Sequence, residues 1–112
     1  MIHKSLNRFI LKDLLKIKNG TDHKHLESGT IPVYGSGGIM RYANKFLYNE
    51  ESILLPRKGS LKNIQYVNEP FWTVDTIYFT IVDKNIANPY FLYCYLKRLN
   101  LSYLIQELEF QV

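Results

Sequence analysis

A chain of 112 residues that is 46% hydrophobic and 21% charged can bury one core and is too apolar for a disordered tail. Its one cysteine, Cys94, excludes a disulfide framework and a four-cysteine zinc site, and apolar runs of only a few residues exclude a membrane-spanning helix. The formal charge of +4 is uneven, because residues 1–24 hold six basic side chains against Asp13 and Asp22. Such a bias suits counterion release from nucleic acid, or a solvated face that keeps the protein dispersed. Nine tyrosines, six phenylalanines and one tryptophan exceed the need of a core this size, so some aromatic surface is expected to serve binding. The start, Met1-Ile2-His3-Lys4, lacks the apolar stretch of a signal peptide, so a soluble cytoplasmic domain is expected.

In chain order, Leu11, Leu14, Leu15 and Lys18 show i, i+3, i+4 spacing, which predicts a short helix over 11–15, closed by Ile17 and Asn19-Gly20. A short strand is predicted over 31–34, running into Gly35-Ser36-Gly37-Gly38. Ser52-Ile53-Leu54-Leu55-Pro56 reads as a buried strand, and residues 63–67 and 74–82 as two more. The period then changes. Asn88 is a good N-cap and Pro89 suits the first helical position, so Leu92, Tyr95, Leu96 and Leu99 mark one face of a helix over 89–99. A second amphipathic stretch follows, with Leu101, Leu104, Ile105 and Leu108. The order predicts an α+β domain: a small mixed or antiparallel sheet with a short N-terminal helix and C-terminal helices.

Four local patterns suggest chemistry, and each has a structural alternative. The 35–38 glycines follow a strand, but they lack the third glycine of a dinucleotide fingerprint and the Gly-Lys-Ser/Thr ending of a P-loop. They read as a tight backbone passage with N–H groups able to face an anion. His23 and His25 flank Lys24 beside Asp22, yet the only further histidine is His3, so exposed loop histidines are expected rather than a metal site. Glu50-Glu51 is expected in a solvated turn, since adjacent strand residues face opposite ways. Asn88-Pro89-Tyr90-Phe91 approaches the Asn/Asp-Pro-Pro-Tyr/Phe loop of amino-methylating enzymes but lacks the second proline, and a helix start accounts for all four residues. No nucleophile, acid–base pair, metal constellation or cofactor site is expected.

One succession of motifs goes further. Gly29-Thr30-Ile31-Pro32-Val33-Tyr34-Gly35-Ser36-Gly37-Gly38 is followed by Ser52-Ile53-Leu54-Leu55-Pro56-Arg57-Lys58-Gly59-Ser60. Tyr66-Val67, Pro70-Phe71-Trp72 and Val74-Asp75-Thr76 then come in order. This series, with the Leu11-to-Gly20 opening and the helix after Asn88, resembles a target recognition domain of the specificity subunit of bacterial type I restriction-modification systems. The resemblance covers about residues 9–100 of a single domain spanning 1–112. It implies double-stranded DNA as the partner, recognition of one half of a split site, and no catalysis or cofactor of its own. Methyltransferase and restriction subunits would carry the chemistry. Relative to that family the closing segment and spacer helix are absent after Leu108, which suggests a truncated gene product, a half-subunit or an excised domain.

The resemblance and the residue types point to the same loops. Arg57, Lys58, Ser60 and Lys62 form one basic, small-residue loop, and Tyr34, Ser36 and Gly37 with Arg41 and Tyr42 form another; both suit positioning on the phosphate backbone. The two loops are expected on one surface. Base readout is assigned to Asn44, Lys45, Asn63 and Gln65, whose side chains pair with purine edges. Pro70-Phe71-Trp72 is expected in the core and Asp75 in a turn or as a hydrogen-bond anchor. Two further readings stand beside DNA recognition. One is a protein-interaction module that pairs with itself through Leu101, Leu104, Ile105 and Leu108, or with a full specificity subunit. The other is an adenine-methylating fragment centred on Asn88.

Overall fold

The strand Ser52-Ile53-Leu54-Leu55-Pro56 is buried along its whole length, and the architecture follows from that fact. A computed structural model describes residues 13–57 and 63–98 of the chain. Among them are seven strands and one helix: β1 (Leu15–Asn19), β2 (Ser28–Gly35), β3 (Gly38–Ala43), β4 (Ser52–Pro56), β5 (Gln65–Val67), β6 (Trp72–Thr73), β7 (Ile77–Val82) and α1 (Pro89–Arg98). One sheet has the order β1-β7-β4-β5 and is antiparallel throughout. The second has the order β3-β2-β6, with β2 antiparallel to β3 and parallel to β6.

Alternation along β4 and β7 sends side chains to two cores, because successive residues of a strand face opposite ways. Ile53, Leu55, Tyr78 and Val82 join Leu15 and Ile17 of β1 against Leu92 and Leu96 of α1. Leu54, Ile77 and Phe79 join Val67 against Val33, Ala43, Phe71 and Trp72 of the second sheet side. The layers are therefore helix, four-stranded sheet, three-stranded sheet. Phe71 anchors the second core, edge-on to Tyr34, Tyr48 and Phe79 at centroid distances of 5.8–6.4 Å. Phe71 and Trp72 thus belong to the core as expected, with Phe71 fully buried, whereas Pro70 is exposed.

Two hydroxyls stand in for part of the β4–β7 ladder. The strands pair directly at Leu55–Tyr78 and Pro56–Ile77. Further along, Ser52 Oγ donates to Thr80 O (2.7 Å) and accepts from Thr80 N (2.9 Å). Thr80 Oγ1 donates to Ile53 O (2.9 Å) and accepts from Ile53 N (3.0 Å). All three residues are fully buried, so no water can replace either hydroxyl.

The helix over 89–99 is present as α1 (Pro89–Arg98), with Leu99 outside the described residues. Asn88 Oδ1 accepts from Phe91 N at 3.0 Å, the N-cap bond, and Lys97 and Arg98 lie in the last turn, where the dipole favours cations. Tyr66 of β5 holds the other end: its ring meets Tyr90 and Tyr93 of α1, and its hydroxyl donates to Glu51. Burial, followed by that bond and the Glu51 charge, pushes the Tyr66 phenol up to about 12. Glu50-Glu51 is therefore more than a solvated turn; Lys84 bridges both carboxylates as well.

Two predicted elements need correction. The N-terminal helix over 11–15 is not supported: Leu11 and Lys12 lie outside the described residues, only Asp13 and Leu14 are helical, and Leu15 opens β1, paired with Val82. Leu15 and Ile17 are buried while Lys16 and Lys18 are exposed, a period of two that the pairing with β7 selects over the helical spacing. The strand predicted over 74–82 begins later, at Ile77, because Asp75 and Thr76 form a turn. The strands β1, β3 and β6 have no counterpart among the predicted ones. Leu101, Leu104, Ile105 and Leu108 lie outside the described residues. No described helix is long and apolar enough to cross a membrane.

Candidate nucleic-acid interface

The glycine passage 35–38 is the turn of a hairpin. Gly35 pairs with Gly38, leaving Ser36 and Gly37 exposed at the tip. Gly38 has φ of +116°, a conformation that L side chains rarely adopt, so glycine is required there. A Cβ on Gly37 would meet nothing within 4 Å, so the tip projects clear of other chain. Gln65 fastens this tip to β5: its Nε2 donates to Gly35 O at 3.0 Å. Gln65 pairs with Leu54, three residues before Arg57, so the latch sits where the β4–β5 connection returns to the sheet.

Arg57, at the other end of that connection, is exposed. Its backbone N donates to Thr76 O (3.1 Å), its Nη1 donates to Asp75 O (3.3 Å), and its guanidinium lies 5.7 Å from the Tyr78 ring centroid. Asp75 is in a turn, one of its two expected roles. Lys58, Ser60 and Lys62 lie outside the described residues, and Asn63 is exposed just before β5.

Several candidate readers have structural duties. Arg41 donates through Nη2 to Leu26 O (2.9 Å) and through Nη1 to His23 O (3.2 Å), and so clamps the β1–β2 connection onto β3. Replacing Arg41 by alanine is expected to cost about 2 kcal/mol, since two carbonyls lose a charged donor. Arg41→Lys, without the planar fork, is expected to restore less than half of that loss in a urea melt. Asn44 accepts from Glu27 N (3.2 Å) at Oδ1 and closes the base of the same hairpin through its backbone N. Tyr34 packs on Phe71 and its carbonyl accepts from Val74 N, and burial, then Glu69 and Tyr42, raise its phenol above the usual tyrosine range. Tyr42 and Lys45 are exposed.

The remaining local patterns resolve into packing. His23 Nδ1 lies 3.5 Å from Arg41 Nη1, and His25 meets Trp72 edge-on at 5.9 Å. No metal-holding group of His, Cys, Asp or Glu occurs among the described residues. Asn88, the centre of the methylating-fragment reading, spends its side chain on the helix cap.

Residue types alone did not single out Ile39, Met40 and Phe46, which are exposed. The available signal was the stretch 38–43, where apolar residues occur without the alternation of a half-buried strand.

Two solved structures share this architecture. The S subunit of a type I restriction-modification system from M. genitalium is 24% identical, with a TM-score of 0.68 over 90% of this chain and 27% of that one. The HsdS subunit from Thermoanaerobacter tengcongensis is 13% identical, with a TM-score of 0.59 over 88% of this chain and 27% of that one. Both are likenesses of fold, and this chain spans about a quarter of either subunit. No curated protein matches the sequence. The family model described as "Type I restriction modification DNA specificity domain" matches residues 4–111, nearly the whole chain. With that match added to the shared fold and to the motif order, the chain belongs to the type I restriction-modification DNA specificity domain family.

Proposed function

We propose that this chain is a target recognition module that reads one half of a split site in double-stranded DNA. It acts in the cytoplasm beside partner subunits that carry methylation and cleavage. The observation that carries this reading is the family match over residues 4–111. The Gln65–Gly35 latch supports the location, because it ties the slim Ser36-Gly37 tip to the first residue of β5, three positions after Lys62 in the sequence. Backbone N–H groups and basic side chains there would position the domain on phosphates. Arg57, Lys58, Ser60 and Lys62 carry that role with Ser36 and Gly37. Lys45 and Asn63, both exposed, remain candidates for base edges. Arg41, Asn44, Gln65 and Tyr34 support the surface from beneath.

One half-site module without a second one lacks avidity, so its affinity for duplex DNA is expected to be about micromolar or weaker at physiological salt. Anisotropy titrations over a salt series test this. Lys58→Ala is expected to weaken binding to all sequences alike and to flatten the log–log salt slope by about one unit. Duplex binding that ignores salt, or no binding even at low salt, overturns the reading.

A further inference from the structure

One polar residue outside the loops assigned above stands at the same end of the fold, and its role rests on the DNA-recognition reading. Asn19 closes β1 and pairs with Tyr78, near the start of β7, which pairs in turn with Leu55, near the end of β4. Gln65, the latch of the hairpin tip, opens β5 opposite Leu54. Asn19, Arg57, Asn63 and the latched tip are thereby gathered at one end of the four-stranded sheet. Directly paired residues share a face, so Asn19 stands on the face of Tyr78, over whose ring the Arg57 guanidinium lies at 5.7 Å.

The usual structural reasons for an asparagine do not apply at this position. Asparagine is depleted in strands and favoured where the backbone turns left-handed or where its amide bonds a nearby backbone group. Among the described residues only a glycine has positive φ, and the Asn19 amide makes no hydrogen bond. By contrast, Asn44, Gln65 and Asn88 spend their amides on the backbone. Asn49, Asn68 and Asn85 are exposed too, but they lie before β4, after β5 and after β7, at the opposite end of the sheet. Asn19 is exposed on a fixed backbone: β7 pairs with it, and Gly20 beside it is wedged against the Val74 and Ile77 carbonyls. A free polar side chain on a rigid element suits precise recognition. The adjacent acceptor and donor of a carboxamide match adenine, whose major-groove edge sets the N7 acceptor beside the N6 amino donor. Guanine offers two acceptors there, thymine an acceptor and a methyl group, and cytosine a donor. We infer that Asn19 is a specificity-determining residue that reads adenine through N6 and N7 in the major groove.

The test uses the 112-residue chain and a pool of randomised duplexes. Duplexes enriched by the protein are remade with 7-deazaadenine at each adenine in turn, which replaces N7 by C–H and leaves base pairing intact. At one position this is expected to weaken binding about fivefold, the net worth of one hydrogen bond. Asn19→Ala is expected to bring that ratio to about one and to leave binding to an unrelated duplex within about twofold. Asn19→Asp, which keeps the shape and loses the N–H donor to N7, is expected to bring the ratio to about one as well. Failure to enrich any sequence overturns the recognition reading and this inference with it. Sequence-selective binding that tolerates 7-deazaadenine everywhere, or a ratio unchanged in either variant, overturns the inference alone.

Discussion

Replacing Gly20 by alanine is expected to destabilise the fold by about 3 kcal/mol or more, at the upper end for a single added methyl group. Gly20 follows β1, where the chain crosses β6: Thr21 N donates to Thr73 O (2.9 Å), and Trp72 Nε1 donates to Thr21 O (2.9 Å). A Cβ on Gly20 would run into the carbonyl oxygens of Val74 and Ile77 and the Thr73 hydroxyl. Two of those three atoms are backbone, held by the Val74 N to Tyr34 O bond and by the β7 ladder, so neither can step aside. Gly37→Ala is the control, because that position is open and its backbone lies outside the left-handed region. It is expected to change stability by no more than about 0.5 kcal/mol. Urea melts of the two variants decide the matter. Equal midpoints would show that the crossing at Gly20 is loose.

Thr80→Val is expected to cost about 3 kcal/mol although it keeps the shape and volume of the side chain. The loss is one oxygen that serves both Ile53 N and Ile53 O. Ile53 is fully buried, so its N–H and C=O would be left without water as well as without protein. The Ser52 and Thr80 hydroxyl oxygens are 3.4 Å apart, and each one's single proton goes to a carbonyl rather than to the other hydroxyl. Ser52→Ala should therefore do equivalent damage, orphaning Thr80 N and Thr80 O. Thr80→Ser, which keeps the oxygen and gives up a methyl group, is expected to cost about 1 kcal/mol. Valine more stable than serine at this position would mean that the strands close into an ordinary ladder without the hydroxyls.

Much of the candidate interface was legible as residue types and illegible as roles. The tip at Ser36 and Gly37 and the basic connection after Arg57 were visible as glycine and lysine punctuation. Arg41 and Asn44 were indistinguishable from DNA readers, because a guanidinium or amide aimed at a loop carbonyl has the same composition as one aimed at a base. Their partners, Leu26 and His23 for Arg41 and Glu27 for Asn44, are 15–18 residues away in the chain. Met40 was passed over for the opposite reason: an apolar residue is expected to face a core, and only the missing alternation over 38–43 signalled otherwise.

The amino-acid sequence by itself determined the elements whose signals are local. Five consecutive buried residues made β4 legible as a continuous run, and the Asn88-Pro89 cap with Leu92 and Leu96 marked the start and the buried face of α1. The motif order from Gly29 to Thr76 determined the family. The tertiary structure decided between periods that the same residues satisfy: Leu15 fits both the helical set with Leu11 and the alternating set with Ile17. Five residue pairs with β7, from Leu15–Val82 to Asn19–Tyr78, make it a strand. It also decided β3, where Gly38 and the Ser36-Gly37 turn return the chain along β2 whatever the hydrophobic pattern says. The physical reason is range. A cap, a turn or a buried run is decided within a few residues, whereas strand pairing and the partner of a long polar side chain are decided by contacts that exist only after distant segments meet.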